Sequence, residues 1–137
     1  LLAAGALLFL AGLLQGGGVS LFANPRMALS AHLTAVQSGM AIMIVGLVWQ
    51  WLPFGNWWLS FSRWTIAGGM YALWTGLTLA AITGSSEVLP IAGEGHTAAP
   101  QAEALVSALV LGGSAGMTAG WLVFVFGLIR AKPGSEL

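Results

Sequence analysis

The chain has 137 residues, of which 58% are hydrophobic and 6% charged, and its formal net charge is zero. Soluble domains carry about 25% charged residues, so this composition leaves too little polar surface to face water and makes lipid the main solvent. The lack of a basic run speaks against nucleic acid as a partner, and the lack of cysteine excludes disulfides, thiolate metal centres and cysteine nucleophiles.

The hydropathy pattern predicts one domain over residues 1–137, an all-α polytopic membrane protein built as a bundle of four transmembrane helices. Helix one is expected over about Leu1–Phe22, with Gln15 and Ser20 its only strongly polar side chains. Leu1–Leu14 lacks the basic n-region of a signal peptide, and apolar sequence resumes after Gly16-Gly17-Gly18. The segment therefore reads as a spanning helix with its extreme N-terminus trimmed. Asn24-Pro25 breaks it. Helix two is expected over about Met27–Leu52, with Ser30 a candidate N-cap. Pro53, Gly55 and Asn56 form the next turn, flanked by Trp49, Trp51, Trp57 and Trp58, the side chains of a membrane–water interface.

Helix three is expected over about Trp58–Thr83, and an outer polar loop, 84–101, carries Glu87, Glu94 and His96. Helix four is expected over about Ala102–Ile129, ending at the stop signal Arg130-Ala131-Lys132-Pro133-Gly134. Four spans put both termini on the side of the helix two–three turn, with Arg63, Arg130 and Lys132. The opposite side holds Arg26 with Glu87, Glu94 and Glu103, so the positive-inside rule places both termini in the cytoplasm. Arg26, His32, Glu94, His96 and Glu103 then share one neighbourhood.

Small residues recur at a spacing of four at Gly68, Ala72, Gly76, Ala80 and Gly84, and again at Ala104, Ala108, Gly112, Gly116 and Gly120. Such spacing lets helix backbones approach closely in lipid. Two such faces exceed the needs of one four-helix chain, and a homo-oligomer is expected.

The candidate site centres on His32, which lies early in helix two. Its face continues through Ala35, Val36, Gly39, Met43 and Gly46, a flat and small surface on which a planar macrocycle can lie. Two readings stand: a ligand of such a group, or an interfacial histidine hydrogen-bonded to a neighbouring helix. Polar groups at membrane depth are functional by default. Arg26 is either a headgroup anchor or the partner of Glu94 or Glu103. Gln37 and Ser38 are polar groups within helix two. Ser38 lies about 240° around from His32 and cannot serve the same face. Tyr71 falls near the middle of helix three, on a face with Trp74, Thr75 and Thr78, and its phenol needs either another helix or a ligand. For His96, Glu94 and Glu103, solvated loop residues are the simpler reading.

No metal-spaced cluster, nucleophile elbow or phosphate loop is present. Helix one lacks the embedded carboxylate of a small multidrug antiporter. A bis-histidine cytochrome needs two facing histidines at depth, and only one exists. A haem bound here keeps an open coordination position, which favours chemistry over electron transfer.

Phe22-Ala23-Asn24-Pro25-Arg26-Met27, followed by Leu29-Ser30-Ala31-His32-Leu33, resembles the hydroxylaminobenzene mutase family of small four-span membrane proteins. So do Leu89-Pro90-Ile91-Ala92, Gly95-His96 and Gln101-Ala102-Glu103-Ala104-Leu105-Val106. A more distant resemblance is to styrene oxide isomerases, through the early helix-two histidine and Gly39-Met40. That second resemblance implies a trimer with haem b between protomers, His32 as its axial ligand, and iron acting as a Lewis acid. Gly39 and Met43 would flank the cofactor. The chain departs from both relatives at Ser38 and Leu73, where asparagine is usual, and from the isomerases at Leu77, where they carry a tyrosine.

The resemblance implies a redox-neutral rearrangement of a small aromatic substrate, an aryl hydroxylamine giving an ortho-aminophenol, in the bacterial inner membrane. Tyr71, Ser38 and Gln37 would line the pocket, with Arg26 positioning the outer loop. The alternatives are isomerisation of an aryl epoxide to an aldehyde, and a non-catalytic haem-carrying or structural membrane subunit.

Overall fold

The computed structural model describes residues 1–131. Lys132, Pro133 and Gly134 of the expected stop signal lie outside the described residues. Four helices run in sequence: α1 (Leu2–Gly17), α2 (Pro25–Val48), α3 (Asn56–Thr83) and α4 (Pro100–Arg130). Short 3-10 turns at Val19–Leu21 and Trp49–Trp51 follow α1 and α2. The helices α2, α3 and α4 are long and apolar enough to cross a membrane. Helix α1 is apolar but has 16 residues, about 24 Å at 1.5 Å per residue. The segment expected to continue to Phe22 instead leaves the helix at Gly18, within the Gly16–Gly18 run that disfavours helix.

Asn24, and not Ser30, caps α2. Its side-chain oxygen accepts the Met27 N–H at 3.0 Å, while Pro25 occupies the first turn, where a missing N–H costs nothing. The Ser30 hydroxyl donates back to the Arg26 carbonyl. Helix α3 closes on Gly84, whose φ of 81° is the left-handed conformation that terminates helices.

The chain runs up and down. Gly46 packs on Leu1 and Leu2, and Gly127 on Leu52 and Phe54, which gathers the described termini and the α2–α3 turn at one end. At the other end the Asn24 N–H donates to the Ala81 carbonyl. Leu8, Ile42, Val45, Ile66, Met70 and Phe124 form the core near the turn. Met27, Ala28, Ala31, Leu77, Ala80 and Val106 form it near the loop. Leu7, Leu14, Ile44, Leu47, Leu122 and Ile129 point outward, as side chains facing hydrocarbon do.

The close helix contacts keep Gly76, Ala80 and Gly120 of the expected stripes but not the strict spacing of four. Gly69 and Gly113 meet backbone to backbone, Gly76 packs on Val110, and Gly120 packs on Ile66. Gly68, Gly112 and Gly116 face open space. The buried positions of α4 are Glu103, Val106, Val110, Gly113, Gly120, Phe124 and Gly127. Their steps are three, four or seven residues, the 3.5-residue period of a left-handed seam, whereas a strict spacing of four drifts by about 40° per step.

Candidate active site

His32 stands two turns into α2 and turns onto α1. Its Nδ1 lies 2.7 Å from the Gly12 carbonyl oxygen. A carbonyl only accepts, so Nδ1 carries a proton in this contact, and in the neutral imidazole the lone pair is then on Nε2. Among the described residues Nε2 has no hydrogen-bond partner. No buried side-chain nitrogen or oxygen is left unpaired there either, which places Nε2 at the surface of the chain rather than in its sealed interior.

The small face that continues from His32 is covered. Gly39 lies against Phe9 and the Gly5 carbonyl, Met43 against Gly5, and Gly46 against Leu1 and Leu2. Gly39 and Met43, expected to flank a cofactor, therefore form the seam between α1 and α2. The reason is the paired glycines: Gly5 and Gly12 on α1 meet the small side of α2, and two smooth surfaces pack at short range in lipid. Only the His32 end of this face keeps an outward-facing polar atom.

The other expected residues lie apart. Gln37 is exposed and Ser38 buried, and neither is hydrogen-bonded to His32. The Tyr71 hydroxyl donates to the Ala4 carbonyl at 2.8 Å, so its partner is α1. Trp74, packed edge-to-face on Tyr71, donates its indole N–H to the Gln15 side-chain oxygen at 2.8 Å. The Gln15 amide nitrogen donates in turn to Thr78 at 3.2 Å. Gln15 is a residue of this network that no motif in the sequence marks. Its signal was a glutamine inside an apolar helix, where each unpaired polar group costs several kcal/mol by order of magnitude.

The outer loop forms a separate polar cluster. Arg26 pairs with Glu94 at 3.5 Å, both largely exposed, and donates to the Ile91 carbonyl. Glu103 is buried and receives the Ser86 N–H on both oxygens and the Glu87 N–H on one. The His96 ring nitrogens lie 3.2 Å from the Glu94 carbonyl and 3.3 Å from that of Ala23. The Asn24 amide reaches the Ala92 carbonyl at 2.9 Å. Arg26 thus chooses Glu94 over Glu103, and the cluster fastens the loop to the start of α2. Leu77 is buried in the loop-end core with side chains of α2, α3 and α4.

A groove of about 590 Å³ lined by Phe54, Trp58, Leu122, Val123, Phe126 and Arg130 lies at the opposite, turn end of the bundle. Among the described residues no group of three histidine or acidic side chains can hold a metal ion. An imidazole whose Nδ1–H is held on a backbone carbonyl leaves Nε2 as a single donor, which would suit a metal that brings its remaining ligands with it, as a haem iron does.

The styrene oxide isomerase family matches residues 1–129 of the chain. Hydroxylaminobenzene mutase HabA of Ectopseudomonas oleovorans is 34% identical over 131 residues, covering 95% of this chain and 97% of that protein. Hydroxylaminobenzene mutase HabB of the same organism is 35% identical over 134 residues, covering 97% of this chain and 81% of its own length. No solved structure gives a significant match.

Proposed function

The chain belongs to the styrene oxide isomerase family and is a membrane isomerase, and from that premise we propose that it rearranges an aryl hydroxylamine to an ortho-aminophenol. The observation that carries the substrate class is the full-length similarity to two proteins named for hydroxylaminobenzene, one of them 34% identical over 97% of its length. The reaction balances within one molecule. The N–O bond breaks, a C–O bond forms at the ortho carbon, and the hydrogen displaced there leaves as a proton while nitrogen gains one. No net oxidant or reductant is needed.

His32 holds a haem b iron through Nε2 in this reading. When bound, that iron supplies a Lewis acid. The rest falls to the chain's own residues. The Gly12 carbonyl keeps the His32 proton on Nδ1. The apolar outer faces of α1 and α2, with Leu13, Leu14 and Leu33 exposed to lipid, keep bulk water from a reactive aromatic intermediate. Tyr71 commits its proton to Ala4 and serves to hold α1. Arg26, with Glu94 and the Ile91 carbonyl, fastens the outer loop.

The chain acts as a homo-oligomer, a trimer by resemblance. Two features support this: Nε2 lies at the surface of a single chain, and the small positions Gly112 and Gly116 on α4 are uncovered. Arg63 and Arg130 at the turn end, against the acidic loop end with Glu87, Glu94 and Glu103, support cytoplasmic termini in a bacterial inner membrane.

The test is an absorption spectrum of the detergent-purified protein beside a His32→Ala variant, followed by product analysis with phenylhydroxylamine. A Soret band lost in the variant and an aminophenol product are expected. A colourless wild-type protein from haem-replete cells overturns the haem assignment. The family match over residues 1–129 also favours a second reading, conversion of an aryl epoxide to an aldehyde. Styrene oxide as the faster substrate would select it. A protein that holds haem or none, and turns over neither compound, would be a non-catalytic subunit.

A further inference from the structure

Helix α1 supplies the one contact that decides which His32 nitrogen is available. The helical hydrogen bond from the Gly16 N–H uses one lone pair of the Gly12 carbonyl, and His32 takes the other at 2.7 Å. The ring reaches that carbonyl only by lying on Gly16. A Cβ at Gly16 would sit 2.7 Å from both Nδ1 and Cε1 of His32, and 3.2 Å from Cγ. Those separations are far inside van der Waals contact, so any side chain there pushes the ring off the Gly12 carbonyl. The neighbouring Gly17 has nothing within 4 Å of its would-be Cβ, so the requirement for glycine belongs to Gly16 and not to the run as a whole.

We infer that Gly16 is a positioning residue for His32: its missing side chain lets the imidazole rest on α1 with Nδ1–H on the Gly12 carbonyl, and this makes Nε2 the outward lone-pair nitrogen. The tautomer follows from the chain's own geometry. Its consequence for a bound iron rests on the haem reading above, and the two are separable by experiment.

The test uses the haem-free, full-length protein in detergent micelles with nitrogen-15 histidine and His96→Asn, which leaves a single histidine to observe. At a pH well above the ordinary histidine value of about 6.5, the spectrum reports which ring nitrogen is protonated. Protonated Nδ1 is expected in the otherwise wild-type chain and with Gly17→Ala. Gly16→Ala is expected to move the ring toward the Nε2–H form that free histidine favours. With haem added back, Gly16→Ala should bind it about 10-fold or more weakly, the usual scale for loss of an outer-shell partner, while Gly17→Ala leaves binding unchanged.

An Nε2–H ring in the otherwise wild-type chain overturns the inference, and that measurement depends on no variant at Gly16. So does a Gly16→Ala protein that keeps Nδ1–H. If the tautomers behave as expected while haem binds to none of the proteins, the positioning role stands and the haem reading falls.

Discussion

The indole N–H of Trp74 on α3 donates to the side-chain oxygen of Gln15 on α1 at 2.8 Å, a polar bond across an apolar bundle. Because Gln15 also donates to Thr78, one side chain fixes the rotation of α1 against α3. That rotation in turn aims the Gly12 carbonyl at His32.

Replacing Gln15 with leucine should remove both bonds and leave the Trp74 indole unpaired. Hydrogen bonds between membrane helices are worth about 0.6–1.7 kcal/mol each, so a loss of roughly 1–3 kcal/mol is expected. Unfolding in detergent micelles, followed by tryptophan fluorescence, measures it. An unchanged midpoint would show that the Gln15 bonds do not hold the helices together.

Tyr71→Phe separates a structural phenol from a catalytic one. The hydroxyl is committed to the Ala4 carbonyl, so stability should fall by about 0.5–1.5 kcal/mol with turnover little changed. A turnover loss of about 100-fold, the lower range for a general acid or base, at unchanged stability would place Tyr71 in the reaction instead.

Glu103 should govern the outer loop. Its buried carboxylate receives amide hydrogens from Ser86 and Glu87, and it sits in the first turn of α4, where a negative charge opposes the helix dipole favourably. Hydrogen bonds to a charged group are worth about 1.5–3 kcal/mol, so Glu103→Ala should speed amide exchange at Ser86 and Glu87 markedly. Arg26→Ala should do far less. Its pairing with Glu94 has side chains 64% and 80% exposed, and surface pairs contribute about 0–1 kcal/mol.

The glycines make a paired test of register. A Cβ at Gly69 would lie 2.6 Å from the Gly113 carbonyl oxygen and 2.7 Å from the Met117 nitrogen, so Gly69→Ala must spread α3 from α4. Overpacking of this kind costs about 1–3 kcal/mol. Gly112→Ala meets nothing within 4 Å and should be neutral or gain up to about 1 kcal/mol of helix propensity in the monomer. Unfolding midpoints for the two variants should therefore move apart. Equal effects would mean that the close face of α4 is not the one at Gly113.

The polar residues of the bundle were legible in the sequence because their signals are local. Polar residues are rare in this chain, so His32, Gln15, Tyr71 and Arg26 stand out by composition alone. Topology brought Arg26, Glu94 and Glu103 to one end, since an even number of spans separates the two carboxylates from Arg26, and the structure chose Glu94 as the partner. The small face through Gly39 and Met43 was also visible, but its occupant was not. Sequence shows that a helix face is flat; it does not show whether a cofactor or another helix covers it.

By itself the sequence determined an all-helical membrane chain, its up-and-down order and the end at which its polar loop gathers. These follow from hydropathy and from breakers such as Asn24-Pro25, which act over a few neighbouring residues. Only the tertiary structure decided that α1 packs over Gly39, that Gly113 rather than Gly112 meets α3, and that the Gly12 carbonyl holds His32. Each of those depends on how one helix is rotated against another. A single residue step turns a helix by about 100°, so rotation is set by the sum of distant contacts and not by any motif.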